Sequence, residues 1–178
     1  MNAAWLRTWL VAALALWLPL AACAQDFAGD DQARLDEVGS LYARYHAEAF
    51  PGAADISAQE AARLSPGQVV FIDVRPEEER LVSTIPGSVT VDEFLGNAEA
   101  YMGRLGVAFC TISYRSGELV QEWGGQVGGV NVVNLSGGLL AWAHAGGPLV
   151  DASGEPVKRL HVFGKRWDLA PQDFETVW

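Results

Sequence analysis

Apolar residues follow two different spacings along this chain. Over residues 32–50 they recur every three or four positions, which predicts a helix with one buried stripe. Residues 69–74 instead form a continuous apolar, β-branched run, which is typical of a parallel strand buried on both faces. Shorter runs at 89–91, 107–110 and 130–135 predict further strands.

Helical patterns separate these strands. They begin at the capping box of Ser57 and Glu60, at Pro76, at Asp92, near Arg115 and at Leu139. Strands alternating with helices predict an α/β fold, with an open, mostly parallel sheet of about five strands covered by helices on both faces. The ligand site of such a sheet lies at the carboxyl ends of its strands. After residue 149 the pattern weakens to a hairpin near 151–154 and a strand at 160–163.

The first 25 residues resemble an export signal. Arg7 precedes an apolar run over residues 9–18 that is too short to span a bilayer comfortably. Leu20 to Cys23 resembles a bacterial lipobox, which implies lipidation of Cys23 and a periplasmic, membrane-tethered lipoprotein. Ordinary signal cleavage and an uncleaved anchor remain the alternatives.

We divide the chain into four parts on these patterns. They are an export signal (1–25), a tether with an N-terminal helix (26–54), an α/β domain (55–150) and a C-terminal extension packed on that domain (151–178). The net charge of −10 and the lack of any Lys/Arg cluster argue against binding to nucleic acid.

Cys110 is the only cysteine beyond the N-terminal segment, so the folded domain has no internal disulfide. It stands where a predicted strand ends and a predicted helix begins. At such a turn the backbone amides of the loop and of the first helical turn stabilise anions and lower the pKa of a thiol. We therefore expect a nucleophilic thiolate. The alternative, a buried cysteine acting as a small hydrophobe, fits poorly with a polar loop that ends at Gly117.

Asp73 ends a buried strand, where a carboxylate needs a partner. Arg75 and Arg115 are both candidates. For each arginine two roles stay open, attraction of an anionic donor or an ion pair with Asp73. For Arg115 we favour the ion pair, which would brace the thiol loop. His46 and His144 are lone helical histidines, and we expect no metal site.

Three segments in register resemble the rhodanese-like family over roughly residues 55–150. Asp73-Val74-Arg75, with Glu79 and Ile85 to Ser88, resembles the family's Asp-Val-Arg to Ile-Pro-Gly-Ala segment. Cys110 to Gly117 resembles its active-site loop, and Asn134 to Gly138 its closing strand and helix. The resemblance implies a single rhodanese-like domain with Cys110 as the catalytic residue. It also implies a substrate-binding loop of Thr111, Ile112, Ser113, Tyr114 and Arg115.

Two positions depart from the family pattern in ways that bear on the site. Arg80 stands where the family often has an aromatic residue, and we regard it as a further candidate substrate contact. Ser113 occupies a position that is often Gly, which predicts either a tolerated strained backbone or a hydroxyl used as a donor. The six residues from Cys110 to Arg115 are typical of sulfur-transferring members, whereas phosphatase and arsenate-reducing members usually have one residue more.

The resemblance implies a sulfurtransferase. Cys110 would take sulfane sulfur from thiosulfate or a persulfide and pass it to a thiophilic acceptor, with no cofactor. The amides of residues 111–115 would hold the transferred sulfur, with the hydroxyls of Thr111 and Ser113 as extra donors. The main alternative is a non-catalytic sulfur carrier or partner-binding module, and an oxyanion phosphatase or arsenate reductase is disfavoured by the short loop.

Overall fold

The computed structural model describes residues 31–178. The strands are β1 Asp55–Ile56, β2 Val69–Asp73, β3 Val89–Thr90, β4 Leu105–Phe109, β5 Gln126–Val127, β6 Val130–Leu135, β7 Arg159–His161 and β8 Glu175–Val177. The α-helices are α1 Asp31–Ala49, α2 Ala58–Ala61, α3 Glu77–Val82, α4 Val91–Gly96, α5 Tyr114–Glu122 and α6 Gly138–His144. Short 3-10 helices lie at Ala98–Tyr101 and Lys165–Trp167. The export signal and the lipidation candidate Cys23 lie outside the described residues.

A parallel sheet with strand order β1-β6-β4-β2-β3 organises the described chain, and β5 pairs antiparallel with β6. In register, Asp73 at the end of β2 lies beside Phe109 of β4 and Thr90 of β3. Because the strands are parallel, their carboxyl ends meet at one edge, and Cys110 follows directly after β4 at that edge. The predicted fold class is confirmed.

The sheet is buried on both faces by two separate apolar clusters. Alternate residues of β2 divide between them: Val69 and Phe71 pack in one cluster, and Val70 and Ile72 in the other. The first cluster holds buried residues of α1 and α6, and the second holds Phe94 of α4 together with Val120 of α5. The continuous apolar runs of the sequence thus reflect strands covered by helices on each side.

The C-terminal segment joins the same core. β7 and β8 form a small parallel sheet, and Leu160, Val162 and Leu169 are buried in the cluster that contains α6. Arg34 of α1 donates hydrogen bonds to the carbonyl oxygens of Asp168 and Ala170, both at 3.1 Å. The chain after residue 159 is therefore attached to α1 as well as to the domain.

Some predicted boundaries are wrong. The helical pattern over 92–105 is broken at Asn97, whose φ of −135° is not helical, and β4 already begins at Leu105. The two-residue strands β1 and β5 and the three-residue β8 had no sequence pattern to predict them. Within residues 31–178, no helix is both long and apolar enough to cross a membrane.

Candidate active site

Cys110 lies between β4 and α5 and lines a cavity of about 290 Å³. Its own exposure is only 2%. The cavity wall combines the thiol loop with aromatic residues from both ends of the described chain: Tyr45, Cys110, Thr111, Ile112, Tyr114, Arg115, Phe163 and Trp167. Four of the five predicted loop residues therefore reach the cavity, and Ser113 does not.

The carbonyl oxygens at the start of the loop are held by the beginning of α6. The amide of Leu139 donates to the Cys110 carbonyl at 2.9 Å, and the amide of Leu140 donates to the Thr111 carbonyl at 3.1 Å. Gly138 makes this approach possible, since its φ is +58° and a Cβ there would collide with both carbonyl oxygens. The amides of residues 111–115 donate no hydrogen bond to an acceptor in residues 31–178.

This division of the loop creates an electropositive turn. The carbonyl dipoles point towards α6, while the unpaired amides at residues 111–115 lie at the start of α5, a nine-residue helix. Unpaired amides at a helix start stabilise a thiolate or an anionic sulfur next to them. The backbone thus leaves these amides available to an anion, and the thiolate expected at Cys110 stays a prediction.

Ser113 adopts the strained conformation and also uses its hydroxyl. Its φ is +70°, the only positive φ of a non-glycine residue in the described chain. Its side chain is fully buried and its hydroxyl donates to the Leu135 carbonyl, while its own carbonyl accepts from the Gly117 amide at 2.9 Å. The hydroxyl is thus directed at β6. The expectation that it helps to hold the transferred sulfur is wrong.

Thr111 lines the cavity, but its hydroxyl also has protein partners. It lies 3.3 Å from a carboxylate oxygen of Glu79 and 3.5 Å from the His161 carbonyl oxygen. A hydroxyl has a single proton to donate, and both neighbours are acceptors. Thr111 therefore ties the loop to α3 and β7, and its predicted role as a donor to sulfur competes with these contacts.

Asp73 pairs with Arg75 and not with Arg115. Arg75 donates to the two carboxylate oxygens at 2.9 and 2.7 Å, and both side chains are almost completely buried. Thr84 donates to the same carboxylate at 2.7 Å. Neither Asp73 nor Arg75 lines the Cys110 cavity. Their pair fastens the end of β2 to the segment before β3. Arg75 is therefore confirmed as the partner of Asp73, and it does not reach the cavity beside Cys110.

Arg115 pairs with Glu79 of α3, which corrects our preferred interpretation. Its two terminal nitrogens each donate to a different Glu79 oxygen at 2.8 Å. Burial raises the pKa of Glu79, but the hydrogen bonds and charge of Arg115 outweigh it and hold that pKa below its ordinary value. Burial likewise lowers the pKa of Arg115, and the interactions with Glu79 and Cys110 raise it further than burial lowers it.

Arg80 does not reach the Cys110 cavity. It donates to the Arg75 carbonyl at 2.6 Å and lines a separate groove with Thr90 and Asp92. The predicted contact of Arg80 with substrate at the thiol is therefore not supported by its position. Arg80 stands on α3 only one residue after Glu79, but the two side chains go to different places: Glu79 is buried and Arg80 is partly exposed.

The sequence patterns assign no role at this site to four of its residues. Glu79 is one of three consecutive acidic residues at the start of α3, and it reads as a surface charge that complements the helix dipole. The other three are the aromatic residues Tyr45, Phe163 and Trp167. Tyr45 packs edge-to-face on Tyr114 at 5.3 Å, Phe163 packs edge-to-face on Trp167 at 5.8 Å, and the Arg115 guanidinium lies 5.6 Å from the Phe163 ring centre.

The fold and the site together define a class of domain, a parallel α/β sheet with one cysteine at the carboxyl end of a central strand, followed by amides that have no acceptor within residues 31–178. Among residues 31–178 there is no cluster of three or more His, Cys, Asp or Glu that fits a metal ion.

Residues 57–145 match the family model described as the rhodanese-like domain, which is half of the chain, so this protein belongs to the rhodanese-like family. No curated protein sequence matches the chain significantly.

Solved structures share this fold at low sequence identity. A thiosulfate sulfurtransferase from Pseudomonas aeruginosa is 21% identical with a TM-score of 0.51; the match covers 66% of this chain and only 23% of that one. A possible tyrosine phosphatase from Rhodopseudomonas palustris is 23% identical with a TM-score of 0.44, covering 71% and 98% of the two chains. A rhodanese-related protein from Thermoplasma volcanium is 22% identical with a TM-score of 0.44, covering 55% and 97%.

Proposed function

We propose that this protein is a sulfurtransferase whose Cys110 thiolate accepts a sulfane sulfur and holds it as a persulfide. The observation that carries the proposal is the set of amides at residues 111–115, which have no acceptor within residues 31–178 and follow directly after a cysteine that borders a cavity. Such amides stabilise both the attacking thiolate and the negative terminal sulfur of a persulfide. Membership of the rhodanese-like family supports the same chemistry.

The reaction consists of two exchanges at sulfur. In the first, the Cys110 thiolate attacks the outer sulfur of thiosulfate or of a persulfide. A new S–S bond forms, the S–S bond of the donor breaks, and the bonding pair leaves with sulfite or a thiolate. In the second, a thiophilic acceptor such as cyanide or a thiol attacks the terminal sulfur, and the bonding pair returns to Cys110. The two steps balance without an added oxidant or reductant.

Protein groups around the thiol support these exchanges by fixing the loop. The Glu79–Arg115 pair holds the last loop residue, and the amides of Leu139 and Leu140 hold the first two carbonyls. A loop fixed in advance spends no free energy on reorganising its dipoles when charge develops on sulfur. The six residues from Cys110 to Arg115 also favour sulfur over a tetrahedral oxyanion, because a tighter ring of amides fits a smaller group.

Mass spectrometry of the intact protein tests the proposal. After incubation with thiosulfate or an organic persulfide, the protein gains about 32 Da, the mass of one sulfur, on Cys110, and cyanide removes it as thiocyanate. Cys110→Ser abolishes both the adduct and the turnover. Formation of the adduct without turnover supports the carrier alternative. Hydrolysis of phosphate esters or reduction of arsenate by the wild type, with no sulfur adduct, contradicts the proposal.

We further propose export to the periplasm and a lipid on Cys23, supported by residues 1–25 of the sequence. Lipidation removes the segment before Cys23 and adds fatty acyl groups to that residue. Mass spectrometry of the mature N-terminus in the native host identifies the modification, and Cys23→Ser should leave the protein unlipidated. A mature N-terminus located after Ala24 in the wild type supports ordinary signal cleavage instead.

A further inference from the structure

The cavity beside Cys110 has an apolar wall. Its aromatic members come from three separate parts of the chain: Tyr45 from α1, Tyr114 from α5, and Phe163 and Trp167 from the segment after β7. Phe163 is 63% exposed and Tyr114 39% exposed, although both are large apolar rings. Exposed aromatic rings that converge on a concave surface are typical of a binding site for an apolar group.

The charges at this cavity are already compensated. Arg115 is the one Lys or Arg side chain in its wall, and both ends of its guanidinium are engaged by Glu79 at 2.8 Å. Lys165 and Arg166 precede Trp167 but are exposed and do not line the cavity. The chain as a whole carries a net charge of −10. A dianion that approaches the Cys110 thiolate therefore meets no unpaired cation in the cavity wall.

The cavity offers room for a small organic group. It measures about 290 Å³ and is open to solvent on one side, so one aromatic ring with a short sulfur-bearing arm can enter it. A larger donor, such as a tripeptide persulfide with two carboxylates, would extend into solvent and would carry charge that the wall does not compensate.

We infer that the sulfur donor of this enzyme is a small organic persulfide or thiosulfonate with an apolar, preferably aromatic, group that packs between Tyr45, Tyr114, Phe163 and Trp167. The inference rests on the proposed sulfurtransferase activity and specifies its substrate class. The apolar group lies in the aromatic wall, and the sulfane sulfur lies at Cys110 in the ring of amides. Thiosulfate has no apolar group and therefore makes no contact of this kind with the aromatic wall.

The chemical step is the same exchange at sulfur. With an organic persulfide, the Cys110 thiolate attacks the outer sulfur, the sulfane sulfur moves with its proton to Cys110, and the organic thiolate leaves with the bonding pair. With a thiosulfonate, the leaving group is the organic sulfinate. In both cases the apolar group departs with the leaving group. Its binding to the aromatic wall therefore affects which donor is recognised, and it does not affect the persulfide that remains on Cys110.

Two thiosulfonates that differ in the organic group alone test this specificity. The probes are benzenethiosulfonate and methanethiosulfonate, which carry the same charge and the same sulfane sulfur. Using the full chain with cyanide as acceptor, kcat/KM is measured for each probe, and the ratio is corrected by the ratio of their uncatalysed rates with cyanide. We expect a corrected phenyl-to-methyl preference of at least about tenfold, from burial of the additional apolar surface.

Variants locate the preference in the aromatic wall. Trp167→Ala should lower the corrected ratio by at least about fivefold, whereas Trp178→Ala, which removes an indole that is 65% exposed and outside the cavity, should leave the ratio unchanged. Phe163→Ala is a second variant of the wall at an exposed position, and it should lower the ratio even where Trp167→Ala fails to fold.

The outcomes separate the inference from the activity on which it rests. A corrected ratio near one, or a ratio that Phe163→Ala and Trp167→Ala leave intact, overturns the inference while sulfur transfer stands. A higher kcat/KM for thiosulfate than for benzenethiosulfonate, after the same correction, also overturns it. Absence of a persulfide on Cys110 with all three donors removes the proposed function and the inference with it.

Discussion

Replacing Gly138 by alanine should damage both the stability of the protein and the thiol loop. A Cβ at this position would lie against the carbonyl oxygen of Cys110 and 2.7 Å from that of Thr111, neither of which belongs to a flexible side chain. Relief of this collision moves the loop away from α6 and lengthens the hydrogen bonds from the amides of Leu139 and Leu140. The substitution therefore acts directly on the backbone that presents Cys110.

The expected cost has three sources. The left-handed conformation of Gly138, with φ of +58°, costs about 1–2 kcal/mol for alanine. Overpacking costs about 1–3 kcal/mol, and each weakened hydrogen bond up to about 1 kcal/mol. Because the movement that relieves the collision is also what weakens the hydrogen bonds, these terms overlap, and we expect a total loss of about 4 kcal/mol.

Gly146→Ala is the matched control. Gly146 also has a left-handed backbone, with φ of +74°, but nothing lies within 4 Å of the position of its Cβ. This variant should lose only the backbone contribution of about 1–2 kcal/mol. Urea denaturation measures the free energy of unfolding of both variants. Sulfur transfer by Gly138→Ala, measured where that variant is folded, should fall at least about tenfold because the loop is displaced.

The difference in stability and in sulfur transfer between Gly138→Ala and Gly146→Ala tests whether α6 packs closely on the thiol loop. If Gly138→Ala is no less stable than Gly146→Ala and transfers sulfur at the wild-type rate, the close packing of α6 on the thiol loop does not exist in solution. Equal stability with reduced transfer would mean that the loop moves at little cost, which contradicts the rigid ring of amides on which the proposed function depends.

Substitutions at three further positions test other parts of the structure. Glu79→Gln removes the charge that pairs with Arg115 and should lower the free energy of unfolding by about 2 kcal/mol at neutral pH. Because pairing holds the pKa of Glu79 below its ordinary 4.5, this difference from wild type should persist above pH 4.5 and disappear as acid protonates the wild-type carboxylate. Denaturation at a series of pH values measures the difference. Ser113→Ala and Ser113→Gly both lose the hydrogen bond to the Leu135 carbonyl, but only glycine also relieves the strain at φ of +70°. Thermal unfolding should therefore show the glycine variant to be more stable than the alanine variant by about 1 kcal/mol. Equal stabilities would mean that the backbone at this position is unstrained. Gly39→Ala, inside α1 with nothing within 4 Å of its Cβ, should stabilise the protein by about 0.5–1 kcal/mol in urea denaturation, and a loss of stability would contradict the helical assignment.

The sequence predicts those parts of the fold in which local pattern and long-range packing require the same residues. The runs that became β2, β4 and β6 are apolar because the sheet is covered on both faces, so their composition reports their burial directly. β1 and β5 are two residues long, and pairing with β6 defines them. Unlike the apolar run that predicts β3, neither of these segments has a sequence pattern of its own, so only the partner strand reveals it.

The thiol loop illustrates the same division. Its position after a strand and before a helix is a local property, and the sequence is sufficient to predict it. The partner of Arg115 is a non-local property: Asp73 and Glu79 are both acidic residues near the carboxyl edge of the sheet. Arg75 stands two residues from Asp73 and satisfies that carboxylate almost completely, which leaves Glu79 to Arg115. The outcome depends on which pair can form with the least rearrangement, and spacing alone does not specify this.

The substrate specificity that we infer depends on residues outside the family match. Tyr45 precedes the matched segment 57–145, and Phe163 and Trp167 follow it, yet all three line the cavity beside Cys110. The family segment supplies the thiol and its amides, which in the proposed reaction would act on any sulfane sulfur in the same way. The flanking segments supply the apolar surface, which distinguishes one donor from another. Since the two contributions come from different parts of the chain, changes at Phe163 or Trp167 should alter the choice of donor without removing the chemistry, whereas Cys110→Ser should remove the chemistry for every donor.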